Sequence, residues 1–299
     1  MVSIPDGILT ALTTAFDADG LLDTAALRHH IDWLLDAGVH ALIPGGTTGE
    51  FYAQSTAERA EILEVVTDAV RGRVPLLAGV NSTHTHETLE LASYAHDLGY
   101  VGLLVAAPPY SLPSEDALVD HVKRIAGETG MPIMLYNFPA RTGVDMTTAF
   151  LRRLVDVPEV VAIKESSGSI AKLHELVVDL DNRFTPVCGT DDQALEFFLW
   201  GARSWVAGAS NFVPQAHVRL YETAVVKGDI EGARALMRLL LPLFSLLENS
   251  GKYVQYVKAG TQAMGMAVGA PRPPLCQLSD AERATLDGLL GGLREHGLV

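Results

Sequence analysis

Val160-Val161-Ala162-Ile163-Lys164-Glu165-Ser166-Ser167-Gly168 passes from four apolar residues, three of them β-branched, straight into charge and hydroxyls. Such a run reads as a buried strand opening into a loop. The amphipathic segment 170–180 that comes next completes one strand-helix unit. The alternation recurs along most of the chain in cycles of roughly 20 to 35 residues, the length of βα units. Strands are expected over 8–16, 41–44, 75–79, 102–106, 132–136, 160–164, 185–188 and 204–209. Helices are expected over 24–36, 56–71, 85–98, 114–129, 147–154, 170–180, 192–200 and 214–226. Several start at Ser, Thr or Asp, which cap free amides, and Gly38, Gly99 and Gly130 follow helices as stop signals. Eight such pairs predict an α/β fold, a closed (β/α)8 TIM barrel over 1–226. After Lys227 the alternation ends. Helices over 229–247, 253–264 and 279–293, with a turn at Pro271–Pro274, predict a three-helix C-terminal extension (227–299) packed on the barrel without a catalytic role of its own.

Composition narrows the function. Of 299 residues, 48% are hydrophobic and 19% charged, the balance of a folded globular chain. Lys and Arg number 22 against 36 Asp and Glu, a formal charge of -14, and no basic run interrupts it. Nucleic acid and anionic membrane surfaces are poor partners for such a chain. No segment approaches the length of a membrane span, and Met1 to Asp6 lack the start of a signal peptide. Cys188 and Cys276 are far apart and form no CxxC pattern, so neither zinc nor a disulfide framework is suggested. A cytoplasmic protein acting on small molecules is the expectation.

In a barrel of this kind the active site forms where the strands end. Those ends supply Gly45-Gly46-Thr47-Thr48-Gly49-Glu50, Tyr136-Asn137, Lys164-Glu165 and Gly189-Thr190-Asp191-Asp192. An amine at the end of a dry strand either snorkels to water or, where burial disfavours the ammonium, attacks a carbonyl to form a Schiff base. The glycine-threonine loop is either a tight turn or a cradle of N–H groups and hydroxyls for an anion. It lacks the Lys of a nucleotide-binding loop. Tyr136 is either a core aromatic or, beside a reactive lysine, a proton shuttle. Arg141 in a Pro/Gly loop is either a surface ion-pair partner or a bidentate clamp for a substrate carboxylate. His84 and His86 raise the possibility of a metal hydrolase, yet no further set completes the coordination, and both are expected on an exposed helical turn capped by Thr83 and Thr85. His29-His30 is expected on a solvated helix face.

Three motifs, Gly45-Gly46-Thr47-Thr48-Gly49-Glu50, Tyr136-Asn137-x-Pro139-x-Arg141-Thr142-Gly143 and Ile163-Lys164-Glu165 followed by Gly189 and Asp191, stand in one order and spacing. With them the chain resembles, over nearly its whole length, the dihydrodipicolinate synthase/N-acetylneuraminate lyase family of class I, Schiff-base pyruvate aldolases. The resemblance implies that Lys164 forms an imine with pyruvate, that Thr47 and Thr48 hold its carboxylate, and that Tyr136 moves protons. Tyr110 matches a tyrosine that family members push into a neighbouring subunit's site, which implies a catalytic Thr47–Tyr136–Tyr110 proton relay, and Gly189 and Val206 match the pyruvate pocket. The assembly implied is a homotetramer, a dimer of dimers, and no metal or organic cofactor is implied.

Arg141 matches the arginine with which the synthases hold aspartate semialdehyde, which implies condensation of pyruvate with that aldehyde to 4-hydroxy-tetrahydrodipicolinate. Other positions point elsewhere. Ala78-Gly79-Val80-Asn81-Ser82-Thr83 lacks the Gly-Thr-Gly-x-Asn signature, and Pro109 replaces an aromatic residue. Phe51 and Thr56 stand where lysine-inhibited synthases carry Ser and His, which implies no feedback by lysine. Asp191-Asp192 resembles the acidic pair that binds hydroxyls in sugar-acid lyases. Cleavage or dehydration of a 2-keto-3-deoxy sugar acid therefore stays open as a second function. A non-catalytic keto-acid sensor is the alternative of another class, one that needs neither the amine nor the tyrosines.

Overall fold

The strands come out where the apolar runs lie: β1 Gly7–Ala11, β2 Ala41–Ile43, β3 Leu77–Gly79, β4 Gly102–Ala106, β5 Ile133–Asn137, β6 Val160–Glu165, β7 Thr185–Cys188 and β8 Ser204–Ala207. The computed structural model describes residues 3–299; Met1 and Val2, part of the segment considered for a signal peptide, lie outside them. All the strand pairings are parallel, in the order β2-β1-β8-β7-β6-β5-β4-β3. A bridge between Leu42 and Leu76, with the Gly79 N–H donating to Pro44 O at 2.8 Å, joins β2 to β3 and rounds the sheet into a (β/α)8 barrel. At this seam Gly45 and Gly79 are backbone to backbone: a Cβ on either would run into the other's carbonyl oxygen.

Side-chain alternation separates two cores. Leu9, Ala11, Ala41, Ile43, Leu77, Leu104, Met134, Ala162, Val187 and Val206 fill the barrel, while Ile8, Leu42, Leu103, Ile133, Ile163 and Trp205 face the helices outside. One irregularity decides where Lys164 points. Ile133 pairs with Val160 but Met134 pairs with Ala162, so Val161 is an extra residue in β6. The bulge brings Ala162, and two residues on Lys164, onto the inward face.

Several boundaries differ from expectation. β1 stops at Ala11 rather than at position 16, because beyond it the backbone finds loop partners; the Thr13 N–H, for example, donates to Asn211 Oδ1 at 3.0 Å. The helix expected over 147–154 covers only Thr148–Arg152, and a single unexpected turn, Pro139–Thr142, precedes it. The helix expected over 214–226 is Pro214–Tyr221 followed by a π-helical turn. Gly38, Gly99 and Gly130 all adopt positive φ after their helices.

The C-terminal helices are Ile230–Asn249, Tyr253–Ala263 and Asp280–Glu295. Leu236, Leu240 and Phe244 share one buried core with Trp205 of β8 and with Ala216 and Leu220 of the helix Pro214–Tyr221. Among the described residues no helix is long and apolar enough to cross a membrane.

Candidate active site

Lys164, at the inward-facing end of β6, is 6% exposed, so its amine opens into the barrel mouth and not into bulk water. Register sets its neighbour: Tyr136 pairs with Lys164 across β5 and β6, and Nζ lies 4.1 Å from the centroid of the tyrosine ring. On the other side Gly189 leaves room for the lysine stem, since a Cβ there would stand 2.9 Å from Lys164 Cγ. The two lie in a cleft lined also by Thr47, Thr48, Arg141, Ser166 and Val206.

The ends of β5 and β6 are clamped together behind the cleft. Asn137 Nδ2 donates to Glu165 Oε2 at 2.8 Å and to Asp145 Oδ1 at 3.1 Å, and its Oδ1 accepts from the Met146 N–H at 2.9 Å. Burial pushes the Glu165 carboxyl up, while its bonds to Asn137 and Ser167 pull the other way. Asn137 and Glu165 each immediately follow a residue of the pair Tyr136/Lys164, so the clamp holds that pair in register.

The glycine-threonine loop is anchored from the C-terminal extension. Glu50, fully buried with φ of 60°, pairs with Lys258 Nζ at 2.9 Å and accepts from the Arg272 N–H at 2.8 Å. Lys258 also donates to Ala270 O at 2.9 Å; burial pushes its ammonium down and Glu50 pulls it back up. In a pair this deep each partner is held by the other and by further hydrogen bonds, which offsets the cost of removing it from water.

Arg141 lies on the short turn Pro139–Thr142 at the cleft rim, exposed, its guanidinium carbon 6.0 Å from the Phe138 ring centroid. It makes no ion pair among the described residues, which leaves it free for an anion. Tyr110 is not brought to this cleft. It is 95% exposed and holds φ of 69°, strained for a residue with a Cβ.

Asp191 is also absent from the cleft wall. It is 1% exposed, and its carboxylate accepts from Tyr253 Oη at 2.5 Å, Trp205 Nε1 at 3.1 Å and the Ala209 N–H at 3.3 Å. Burial pushes its carboxyl up, opposed by the Tyr253 bond and by Lys164. In its place the cleft receives Glu248, which sequence reasoning missed. Glu248 Oε1 accepts the Asp191 N–H at 2.7 Å, and burial, followed by the Asp191 charge, pushes its carboxyl up to about 8. Leu247, Gly251, Tyr253 and Val254 complete this wall. One signal was legible: an acid in the last turn of a helix opposes the helix dipole.

His84 and His86 sit on an exposed first turn, facing Glu87 at 3.6 Å and Glu90 at 3.1 Å. The caps expected there from Thr83 and Thr85 are not made; the helix starts after His84, whose N–H is taken by Ser82 Oγ, and the Thr85 hydroxyl contacts His121. His30 corrects the expectation of a solvated pair. It is fully buried beside Asn211, and burial lowers its pKa to about 4, because the helix Thr24–Asp36 turns position 30 toward the barrel and only His29 outward.

Relatives match nearly the whole chain. The model of the dihydrodipicolinate synthetase family matches residues 4–291. A 4-hydroxy-tetrahydrodipicolinate synthase of Methanopyrus kandleri is 35% identical over 98% of this chain and 97% of its own. A prophage protein of the dihydrodipicolinic acid synthase family from E. coli K12, solved in complex with pyruvate, superposes with a TM-score of 0.90 at 33% identity, covering 98% of this chain and 99% of its own. A chloride-inhibited dihydrodipicolinate synthase of Acinetobacter baumannii, also complexed with pyruvate, gives 0.89 at 29% identity, covering 98% and 99%. Barrel and matches together define a lyase of the class I pyruvate-aldolase type. The chain belongs to the dihydrodipicolinate synthetase family.

Proposed function

We propose that this lyase joins pyruvate to aspartate semialdehyde through a Schiff base on Lys164, yielding 4-hydroxy-tetrahydrodipicolinate. The observation that carries the proposal is the inward-facing amine of Lys164 beside Tyr136, in a cleft with a free guanidinium at its rim. The activity named for the Methanopyrus kandleri relative and the pyruvate complexes of two structural neighbours support the two substrates.

In this reading the unprotonated Lys164 Nζ adds to C2 of pyruvate, whose carboxylate is held by Thr47, Thr48 and the loop amides. The carbinolamine loses water, with Tyr136 carrying the protons. The imine acidifies the methyl group, and loss of one proton gives an enamine. Its C3 attacks the aldehyde carbon of the second substrate, whose carboxylate Arg141 clamps, and the aldehyde oxygen takes up a proton to become the hydroxyl. The substrate's own amine then adds to C2 and expels Lys164, closing the ring.

Tyr110 enters as a residue lent to a neighbouring subunit, which accounts for its exposure and strained backbone in the single chain. The assembly proposed is a homotetramer, with residues 1–226 carrying the reaction and 227–299 walling its cleft. Its location is the cytoplasm, where Cys188 and Cys276, free thiols here, stay reduced.

Borohydride reduction in the presence of pyruvate, followed by peptide mass spectrometry, tests the proposal. The expected result is a pyruvate adduct on Lys164, absent from Lys164→Arg, together with turnover of aspartate semialdehyde. An unlabelled Lys164 in a folded protein would overturn it.

A further inference from the structure

Resting on that reading, we infer that Glu248 is a specificity residue for the second substrate: it accepts a hydrogen bond from the donor that the acceptor carries beside its carboxylate. Besides Lys164 the cleft has one basic and one acidic wall. Arg141 comes from the barrel rim, and Glu248 comes from the last turn of the helix Ile230–Asn249.

Glu248 is held for such a task. Its Oε1 is fixed by the Asp191 N–H at 2.7 Å, and Asp191 is in turn fixed by Tyr253, Trp205 and Ala209. No Lys or Arg pairs with Glu248, and its Oε2 has no partner among the described residues, although the side chain lines the cleft. A half-buried carboxyl group with one oxygen anchored and the other unpartnered, on a side chain that lines the cleft, is a ready acceptor. An acceptor molecule with a carboxylate and an adjacent ammonium or hydroxyl carries a complement to each wall, carboxylate to Arg141 and donor to Glu248. In aspartate semialdehyde the donor is the ammonium. A site built to bond such a donor rejects the analogue lacking it, because its own polar group is left unpaired.

Succinic semialdehyde is aspartate semialdehyde without the amine; water, not an internal amine, must release its adduct from Lys164, so the Glu248 contact is read from how substitution of Glu248 changes the ratio of kcat/KM for the two aldehydes, followed by pyruvate consumption. The ratio is independent of how much of a preparation is folded. Glu248→Leu is expected to lower it by at least about tenfold and Glu248→Gln, which keeps an acceptor oxygen, by less. A 2-hydroxy analogue run alongside distinguishes ammonium from hydroxyl: preference for the amine that survives in Glu248→Gln indicates hydrogen bonding, and preference lost there indicates charge. A ratio common to all three proteins overturns the role of Glu248 while leaving the proposed function standing. Failure of the unaltered protein to use aspartate semialdehyde, with Lys164 still trapped by pyruvate, removes that acceptor and this inference together.

Discussion

Lys164 Nζ rests over the face of the Tyr136 ring, 4.1 Å from its centroid, because the two residues are register partners across β5 and β6. The ring packs the amine, and the phenolic oxygen lies at the far edge of that ring, so support and proton transfer are separable. Tyr136→Phe keeps the ring and removes the hydroxyl. Its kcat is expected to fall by about 10²-fold or more, the usual contribution of a positioned acid-base group, while prolonged incubation with pyruvate and borohydride still labels Lys164. Equal kcat in the two proteins would exclude the phenol as the proton carrier.

Gly189→Ala is expected to obstruct the lysine without unfolding the barrel. The added methyl stands 2.9 Å from Lys164 Cγ and closer still to Ser166 Oγ. Overpacking of this kind costs about 1–3 kcal/mol. Circular dichroism should show a folded protein with a lowered Tm, and mass spectrometry should show the pyruvate adduct reduced by about tenfold or more, the factor that goes with some 1.4 kcal/mol.

Lys258→Met leaves the Glu50 carboxyl without its ion-pair partner in a buried place, since Lys258 and Glu50 are 1% and 0% exposed. The expected loss is about 3–5 kcal/mol in urea unfolding, the cost of stranding one partner of a buried pair. The double variant Glu50→Gln/Lys258→Met should recover much of it. A double variant no more stable than the single one would mean that the ion pair itself, and not the avoidance of a lone charge, holds the Thr47–Thr48 loop.

Protonation of Glu248 makes stability pH-dependent in a defined direction. Burial, then the neighbouring Asp191, raises its folded-state pKa to about 8, whereas an unfolded glutamate titrates near 4.3. Between these values the folded protein keeps a proton that the unfolded chain has released. The contribution is therefore complete at low pH and is lost as pH rises toward 8. Glu248→Gln has no proton to lose, so its Tm relative to the unaltered protein should climb from pH 5 to pH 8. Parallel Tm curves would show that Glu248 is ionised throughout.

Much of this architecture is local physics and can be read along the chain. Apolar runs such as Val160–Ile163, capped helices and glycine stops are consequences of backbone sterics and hydrogen bonding within a few residues, and eight repeats of them allow few closures other than a barrel. The same repeats put Thr47, Thr48, Tyr136, Lys164 and Gly189 at one mouth, because parallel strands all end on one face. The inward turn of Lys164 was not legible in the same way: it depends on the bulge at Val161, which exists only in the pairing with β5.

What sequence by itself determined is the barrel and the set of groups at its rim. What tertiary structure decided is which carboxyl faces the cleft. Asp191, at a strand end, looked suited to meet a ligand, but three donors from β8, the loop after it and the helix Tyr253–Ala263 claim it. Glu248 lies 84 residues beyond Lys164 in number, on a helix that reaches the cleft only by packing its apolar face on Trp205 and the helix Pro214–Tyr221. Burial and hydrogen-bond saturation are properties of the assembled neighbourhood, set by contacts between segments far apart in the chain, and no local pattern encodes them.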